Sequence, residues 1–428
     1  MRGLADLIQP SPVHRHAVLA RSERLAGTLA SPPYPAEADD GPGSPRWDGQ
    51  SLSSGHAGIA ILHGIRARAG HGRWSRAADW LAAAVREPVA GAGGAGLWHG
   101  APAIAFALHT AVPRQADRHL TQLDSFIAAM AERQVHSAYK RMAERRRPLP
   151  GEFDLVRGLT GLGVYFLRRD PAHPCLRSIL GYMVQLTAPV PADDAAGISV
   201  PGWWTRHLPA GRPTVPFTDG HSDQGMAHGI SGPLALLSLA AGIGVDVPGQ
   251  MDAIVTIRDW LERCQQHSLA GPWWPERLTL ADLHTGQPHQ NGPARPSWCY
   301  GTPGITRTLQ LTARALDDAD RQSAAETALL ACITDRDQLA RLDNLALCHG
   351  WSGLITTVWA AAADATTAAL SQQLTRLIVE LLSTQLALPE RPGLIDGTAG
   401  LALVLHSIAT GTLAPWTSCL LLTGTDPA

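Results

Sequence analysis

The feature that most constrains this chain is a step of the form Gly-x-x-Gly that keeps returning, each time with an apolar run behind it. It reads Gly55-His-Ala-Gly58, Gly158-Leu-Thr-Gly161, Gly229-Ile-Ser-Gly232, Gly301-Thr-Pro-Gly304, Gly350-Trp-Ser-Gly353 and Gly397-Thr-Ala-Gly400. A degenerate copy, Gly100-Ala-Pro-Ala103, brings the number to seven. A fixed step at intervals of tens of residues marks a repeat architecture in which each unit buries its apolar face against its neighbours. The run after each step is rich in alanine and leucine, good helix formers, as in Leu234–Ala240, Ile305–Ala315, Leu354–Ala363 and Leu401–Ala409. A second helical pattern precedes most steps: Trp74–Val85, Met251–His267, Arg321–Thr334 and Ala368–Leu386. Each repeat is therefore a pair of helices. β-branched alternation is nearly absent, so the expected fold is all-α. Glycine at a helix start lets the backbone turn tightly, lets helices approach closely and leaves the first amides open. Seven pairs satisfy the pattern either as an open solenoid or as a closed ring with all seven turns at one mouth.

Composition agrees with a large core. Of 428 residues, 45% are hydrophobic and only 17% charged. The balance of 35 basic and 37 acidic residues excludes a global basic field, and no nucleic-acid partner is expected. Met1–Pro10 carries one arginine and then Asp6 with no apolar run behind, so no secretory signal is expected and the cytoplasm is the default location. Residues 1–50 are expected to form an N-terminal helix and linker, and residues 51–428 a single toroid or solenoid domain. Ala36–Pro45 and Gly91–Gly96 have the composition of connectors. Six cysteines in so long a chain are no disulfide framework. Cys175, Cys264, Cys332 and Cys419 sit where small core residues sit. Two insertions, Ala188–Gly225 and Gly271–Pro296, carry the pairs Trp203-Trp204 and Trp273-Trp274. These tryptophans either plug the repeat core or wall a site for an apolar peptide.

Unusual chemistry sits at four of the turns. Cys299 lies two residues before Gly301, and Cys348 and His349 immediately precede Gly350. If the turns converge, two thiolates and an imidazole meet, the three-ligand set of a catalytic zinc site with an open fourth position. Asp154 lies four residues before Gly158, His228 directly before Gly229, and Arg295 and Tyr300 flank Cys299. A carboxylate, an imidazole, a guanidinium and a phenol form an acid/base set. Each also has a plain structural use: Asp154 as a turn cap, His228 as a core histidine, Arg295 as a surface charge, Tyr300 as packing.

The segments Arg295-Pro-Ser-Trp-Cys-Tyr-Gly-Thr-Pro-Gly304, Leu347-Cys-His-Gly-Trp-Ser-Gly353, Ala227-His-Gly-Ile-Ser-Gly232 and Asp154-Leu-Val-Arg-Gly-Leu-Thr-Gly161 resemble the LanC family, the lanthionine synthetase cyclases. The resemblance runs from about Ser54 onward, and the Ala103 step is its one clear departure. It implies an α/α toroid of seven helical hairpins and Zn²⁺ on Cys299, Cys348 and His349. It places Asp154, His228, Arg295 and Tyr300 around the reacting centre. The implied reaction is addition of peptide cysteine thiols to dehydroalanine or dehydrobutyrine, giving thioether rings. The implied partners are a dehydrated precursor peptide, a separate dehydratase and a transporter. Three other readings remain: a glutathione-adding relative, a prenyltransferase-like zinc toroid, and a helical peptide-binding scaffold without activity.

Overall fold

The computed structural model describes residues 12–33, 49–91, 94–112, 117–192, 197–207, 217, 219–413 and 415–424. The connector expected at Ala36–Pro45 lies outside them, as do residues 92–93 of the connector Gly91–Gly96. Fourteen helices build two concentric layers. In chain order they are α1 (Pro12–Thr28), α2 (His56–Arg68), α3 (Trp74–Ala84), α4 (Ala101–Ala111), α5 (Asp117–Ala143), α6 (Leu159–Arg169) and α7 (Pro174–Leu186). There follow α8 (Ser231–Gly242), α9 (Gln250–Cys264), α10 (Thr302–Ala315), α11 (Ala319–Thr334), α12 (Trp351–Asp364), α13 (Ala369–Ser383) and α14 (Thr398–Thr410). The even-numbered helices, each started by a glycine step, form the inner layer. Each packs against the next, and α14 packs against α2, so the inner layer is a closed ring and the fold an α/α toroid.

Residue type sorts the layers. Inner helices such as α8 and α14 are apolar nearly all round and are buried along almost their whole length. Outer helices are amphipathic: in α9 the buried Ala253, Ile254, Ile257, Trp260, Leu261 and Cys264 recur at three- and four-residue spacing, while its other face is solvated. Six helix pairs are contiguous hairpins. The seventh joins both ends of the chain, α14 pairing with α1, where the Ser22 hydroxyl donates to the Ala402 carbonyl at 2.7 Å.

The turns are tied to one another by backbone hydrogen bonds that run right round the mouth. Leu52 N–H donates to Trp98 O, Trp98 to Val156, Leu155 to Ala227, Ala227 to Cys299, Cys299 to Cys348, Cys348 to Ile395, and Ile395 back to Ser53. Every accepting carbonyl belongs to the residue two before the first glycine of its step. One residue earlier, the side chains Leu52, Leu97, Leu155, Met226, Trp298, Leu347 and Leu394 are all buried beneath this ring. The second glycine of the step lies against the carbonyl of that same residue. A Cβ at Gly58, Gly161, Gly304, Gly353 or Gly400 would run into the carbonyl oxygen of Leu52, Leu155, Trp298, Leu347 or Leu394 respectively. The Ala103 step escapes this because its turn follows another path: Gly100 is the one first glycine with positive φ, 74°.

The insertions are more ordered than their composition suggests. Strand β1 (Val190–Pro191) pairs with β2 (Ser199–Val200), β3 (His221–Asp223) with β6 (Arg277–Thr279), and β4 (Gln266–Ser268) with β5 (Gly271–Trp273), all antiparallel. The helix expected over Met251–His267 therefore stops at Cys264, where the chain turns into β4. The Gly271–Pro275 segment supplies β5.

The glycine contact generates a test. Gly400→Ala should lower stability by about 1–3 kcal/mol through overpacking against Leu394. Ala103→Gly should cost only about 0.5–1 kcal/mol, from backbone entropy. Urea unfolding midpoints of the two variants check this, and a Gly400→Ala midpoint at or above that of Ala103→Gly would refute the packing account.

Candidate active site

Because the turns occupy equivalent positions, residues at equal offsets from the first glycine become neighbours. Cys299 and Cys348 share the offset of minus two on adjacent turns, and the Cys299 N–H donates to the Cys348 carbonyl at 3.3 Å. The ligand atoms of Cys299, Cys348 and His349 consequently lie within 4.8 Å of one another. The offset of minus one is occupied by Ser54, His99, Arg157, His228, Tyr300, His349 and Asp396, all polar and none of them buried. They ring the mouth directly above the buried layer.

The thiol pair behaves as a metal-type donor set. Cys299 is held well below the ordinary thiol pKa because the Cys348 side chain hydrogen-bonds to it, with His349 and Ser297 adding to the effect against its burial. The same partnership, with burial, pushes Cys348 up. The first proton is thus held more weakly than the second. Two soft sulfurs and one imidazole fit a borderline-soft ion such as zinc and not magnesium or calcium. The structure thus assembles a group able to hold a metal. Asp396, on the next turn, has a carboxylate oxygen that is buried without a hydrogen-bond partner; its pKa is raised by burial, which the charge of His349 opposes.

On the turns that adjoin Cys299 on its other side, His228 Nδ1 lies 2.7 Å from Asp154 Oδ2. Asp154 is 2% exposed and the imidazole 39%. The other oxygen of Asp154 accepts from the amides of Arg157 and Gly158 at 2.7 and 2.8 Å, so the residue both caps its turn and orients the histidine. Burial alone would lower the His228 pKa. The hydrogen bond and charge of Asp154, with Asp223 and Cys299 behind them, outweigh it, and the value is raised above 6.5. The ring is thus no sealed core histidine: it borders an open cavity of about 870 Å³ together with Asp154, Asp223, Arg277 and Tyr300.

Tyr300 stands beside His228, ring centroids 6.2 Å apart. Burial and the charge of Asp223 raise its pKa well above the usual phenol value. Arg277 lies over the Tyr300 ring at 4.9 Å and pairs with Asp223 at 3.4 Å. Neither Arg277 nor Asp223 was expected. They come from the two insertions, brought together by the β3–β6 pairing in which Asp223 faces Arg277. Arg295 is 39% exposed and pairs at 3.5 Å with Asp343, while its charge still acts on Cys348, Glu276 and Asp396. The tryptophans take the plug role: Trp203, Trp204, Trp273 and Trp274 are 1–5% exposed. The indoles of Trp203, Trp204 and Trp274 donate to Ser222 Oγ, Asp219 O and Leu261 O. Rings buried in this way present no wall to a ligand. The four remaining cysteines are buried, and burial raises their pKa, to about 11 for Cys175 and about 12 for Cys264 and Cys332.

The class so defined is an α/α toroid that carries, at one mouth, a two-thiol, one-imidazole cluster able to hold a metal and an aspartate-held histidine. The chain matches the family model of lanthionine synthetase C-like proteins over residues 46–421, and it belongs to that family. It is 24% identical over 209 residues to the nisin biosynthesis protein NisC of Lactococcus lactis subsp. lactis, a stretch spanning 48% of this chain and 48% of that relative. The alignment thus spans about half the length of the curated relative. Among solved structures, nisin cyclase superposes with a TM-score of 0.72 at 18% identity, over 96% of each chain, a likeness of fold. Among the described residues no helix is long and apolar enough to cross a membrane.

The Asp154–His228 pair can be tested directly. Asp154→Asn keeps an oxygen for the turn amides but removes the charge. The His228 pKa, read by NMR titration of its ring protons, should fall, leaving the ring less protonated at pH 7. An unchanged titration would show that Asp154 does not set it.

Proposed function

We propose that this protein is a zinc-dependent lanthipeptide cyclase. Its reaction is addition of a peptide cysteine thiol to dehydroalanine or dehydrobutyrine in the same peptide, forming lanthionine or methyllanthionine. The observation that carries the proposal is the meeting, at one mouth, of a two-thiol, one-imidazole donor set and an aspartate-oriented histidine beside a cavity large enough for peptide. Family membership supports the same reading. Cys299, Cys348 and His349 would hold the metal. Bound there, zinc would favour the thiolate form of an incoming cysteine, whose own pKa near 8.5 keeps it mostly protonated at neutral pH.

The remaining chemistry falls to the chain. Sulfur attacks the β-carbon, a C–S bond forms, and the alkene electrons move toward the neighbouring carbonyl as an enolate. The α-carbon must then take a proton. His228 is the donor: Asp154 occupies Nδ1, which leaves Nε2 to exchange protons, and the raised pKa shifts the ring toward its protonated form. Arg277, beside the neutral Tyr300 phenol, places positive charge in the same cavity for the enolate oxygen, and Arg295 contributes from the thiol side. The thiol proton lost at the start is balanced by the proton gained at the α-carbon, so peptide mass is unchanged. The substrate arrives already dehydrated, which requires a separate dehydratase; a transporter would follow.

Two measurements decide the proposal. Incubation with a dehydrated, cysteine-containing peptide should consume free thiols at constant mass; persistence of the thiols with metal-loaded protein would sink it. His228→Ala should keep about one zinc per chain and slow single-turnover cyclisation roughly 10²–10⁴-fold. Cys348→Ala should lose the metal. A His228→Ala variant that melts early yet cyclises at the normal rate would reduce this residue to a structural role.

A further inference from the structure

The cavity at His228 does not end at the reacting centre. It continues past Gly94 and Ala95 to Arg146, Arg147 and Arg157, and a second hollow of about 460 Å³ shares Arg147, Leu149 and His207 with it and adds Arg206. The carboxylates along this path are already engaged. Glu152 is held by Arg141 in a two-pronged pair, at 2.6 and 3.2 Å, and takes the Tyr182 hydroxyl at 2.7 Å. Asp154 is held by His228, and Asp223 by Arg277.

The arginines at the outer end are differently placed. Arg146 is 64% exposed, and its partner Glu144 is 42% exposed, a surface pair worth little and easily exchanged. Arg157 is exposed, projecting from the turn that Asp154 caps. Among the described residues the outer end is therefore an arginine-lined trough in which the exposed Arg157 and the loosely paired Arg146 face solvent, and its lining runs on to His228.

We infer that this trough binds an acidic segment of the peptide substrate, several residues away in the peptide from the reacting cysteine, and so sets which peptides are presented to His228. The inference rests on the peptide-cyclase reading above and names its substrate class. Lysine-rich or neutral segments gain nothing there. The Arg141–Glu152 pair, braced from behind by the buried Tyr182, supplies shape, while Arg146 and Arg157 supply the exchangeable charge.

The test uses the whole chain and three fluorescein-labelled peptides that share one inert core and differ in a four-residue extension of glutamate, glutamine or lysine. Anisotropy at low salt should rank the glutamate peptide tightest. The Arg146→Gln/Arg157→Gln double variant should weaken it roughly 5–30-fold and leave the glutamine peptide unchanged. Higher salt should erode the same preference. Equal binding of the glutamate and glutamine peptides, or undiminished glutamate-peptide affinity in the double variant, overturns the inference. Should the double variant melt early, Arg146→Gln alone carries the test, because that side chain is solvated. Versions bearing dehydroalanine and cysteine separate the two readings. Cyclisation indifferent to the extension overturns the trough and leaves the cyclase standing. Charge-selective binding without cyclisation overturns the cyclase and leaves the trough. Where both hold, the double variant raises KM for the glutamate peptide and spares kcat.

Discussion

Everything at the mouth depends on the hydrogen bonds that tie each turn to the next. Each is worth only about 0.5–1.5 kcal/mol net, but one left unmade beneath a packed surface costs more. Their larger effect is geometric. They lock the turns in register, so residues at one offset meet whatever the length of chain between them. Cys299 and Cys348 are neighbours because their own backbones form one of the bonds. The second glycines permit this register by letting each inner helix lie against the carbonyl just below the ring.

Within that frame one charge reaches many groups. Cys299 acts on His228, Tyr300, Glu276 and Asp396, residues from several turns and one insertion. The thiol cluster and the His228 side of the mouth are thus parts of one electrostatic unit. Asp154 gives one carboxylate oxygen to the backbone and the other to the His228 ring, so one side chain ties the turn and the imidazole together.

The repeat, the helix pairs and the thiol–imidazole convergence were legible because each follows a period or a motif. Closure was not: an open solenoid satisfies the same glycine spacing, and only resemblance to a known family favoured the ring. The polar series at minus one was present in the sequence, since Arg157 and Asp396 occupy the same offset as His228, but it becomes visible only once the turns are known to share a register. Asp223 and Arg277 carried no signal. They meet through an antiparallel pairing of two insertions, and a three-residue strand leaves no periodic trace. Trp203, Trp204, Trp273 and Trp274 could be plug or wall on composition alone, because an aromatic pair has the same letters whether its indoles face protein or ligand. Burial, with internal partners for three of the indoles, supplied the distinction.

The pairing of α1 with α14 has a consequence for how the molecule comes into being. Ser22 and Ala402 are separated by 380 positions, yet their contact helps seal the circle. Until the final inner helix has left the ribosome, the first outer helix has no seat and the ring has two raw apolar edges. A solenoid can settle repeat by repeat as it is made; this chain cannot, because its last stave and its first are the same joint. Assembly therefore waits for the last inner helix, with contacts of high sequence separation closing last, the condition under which folding is slow and nascent chains lean on chaperones.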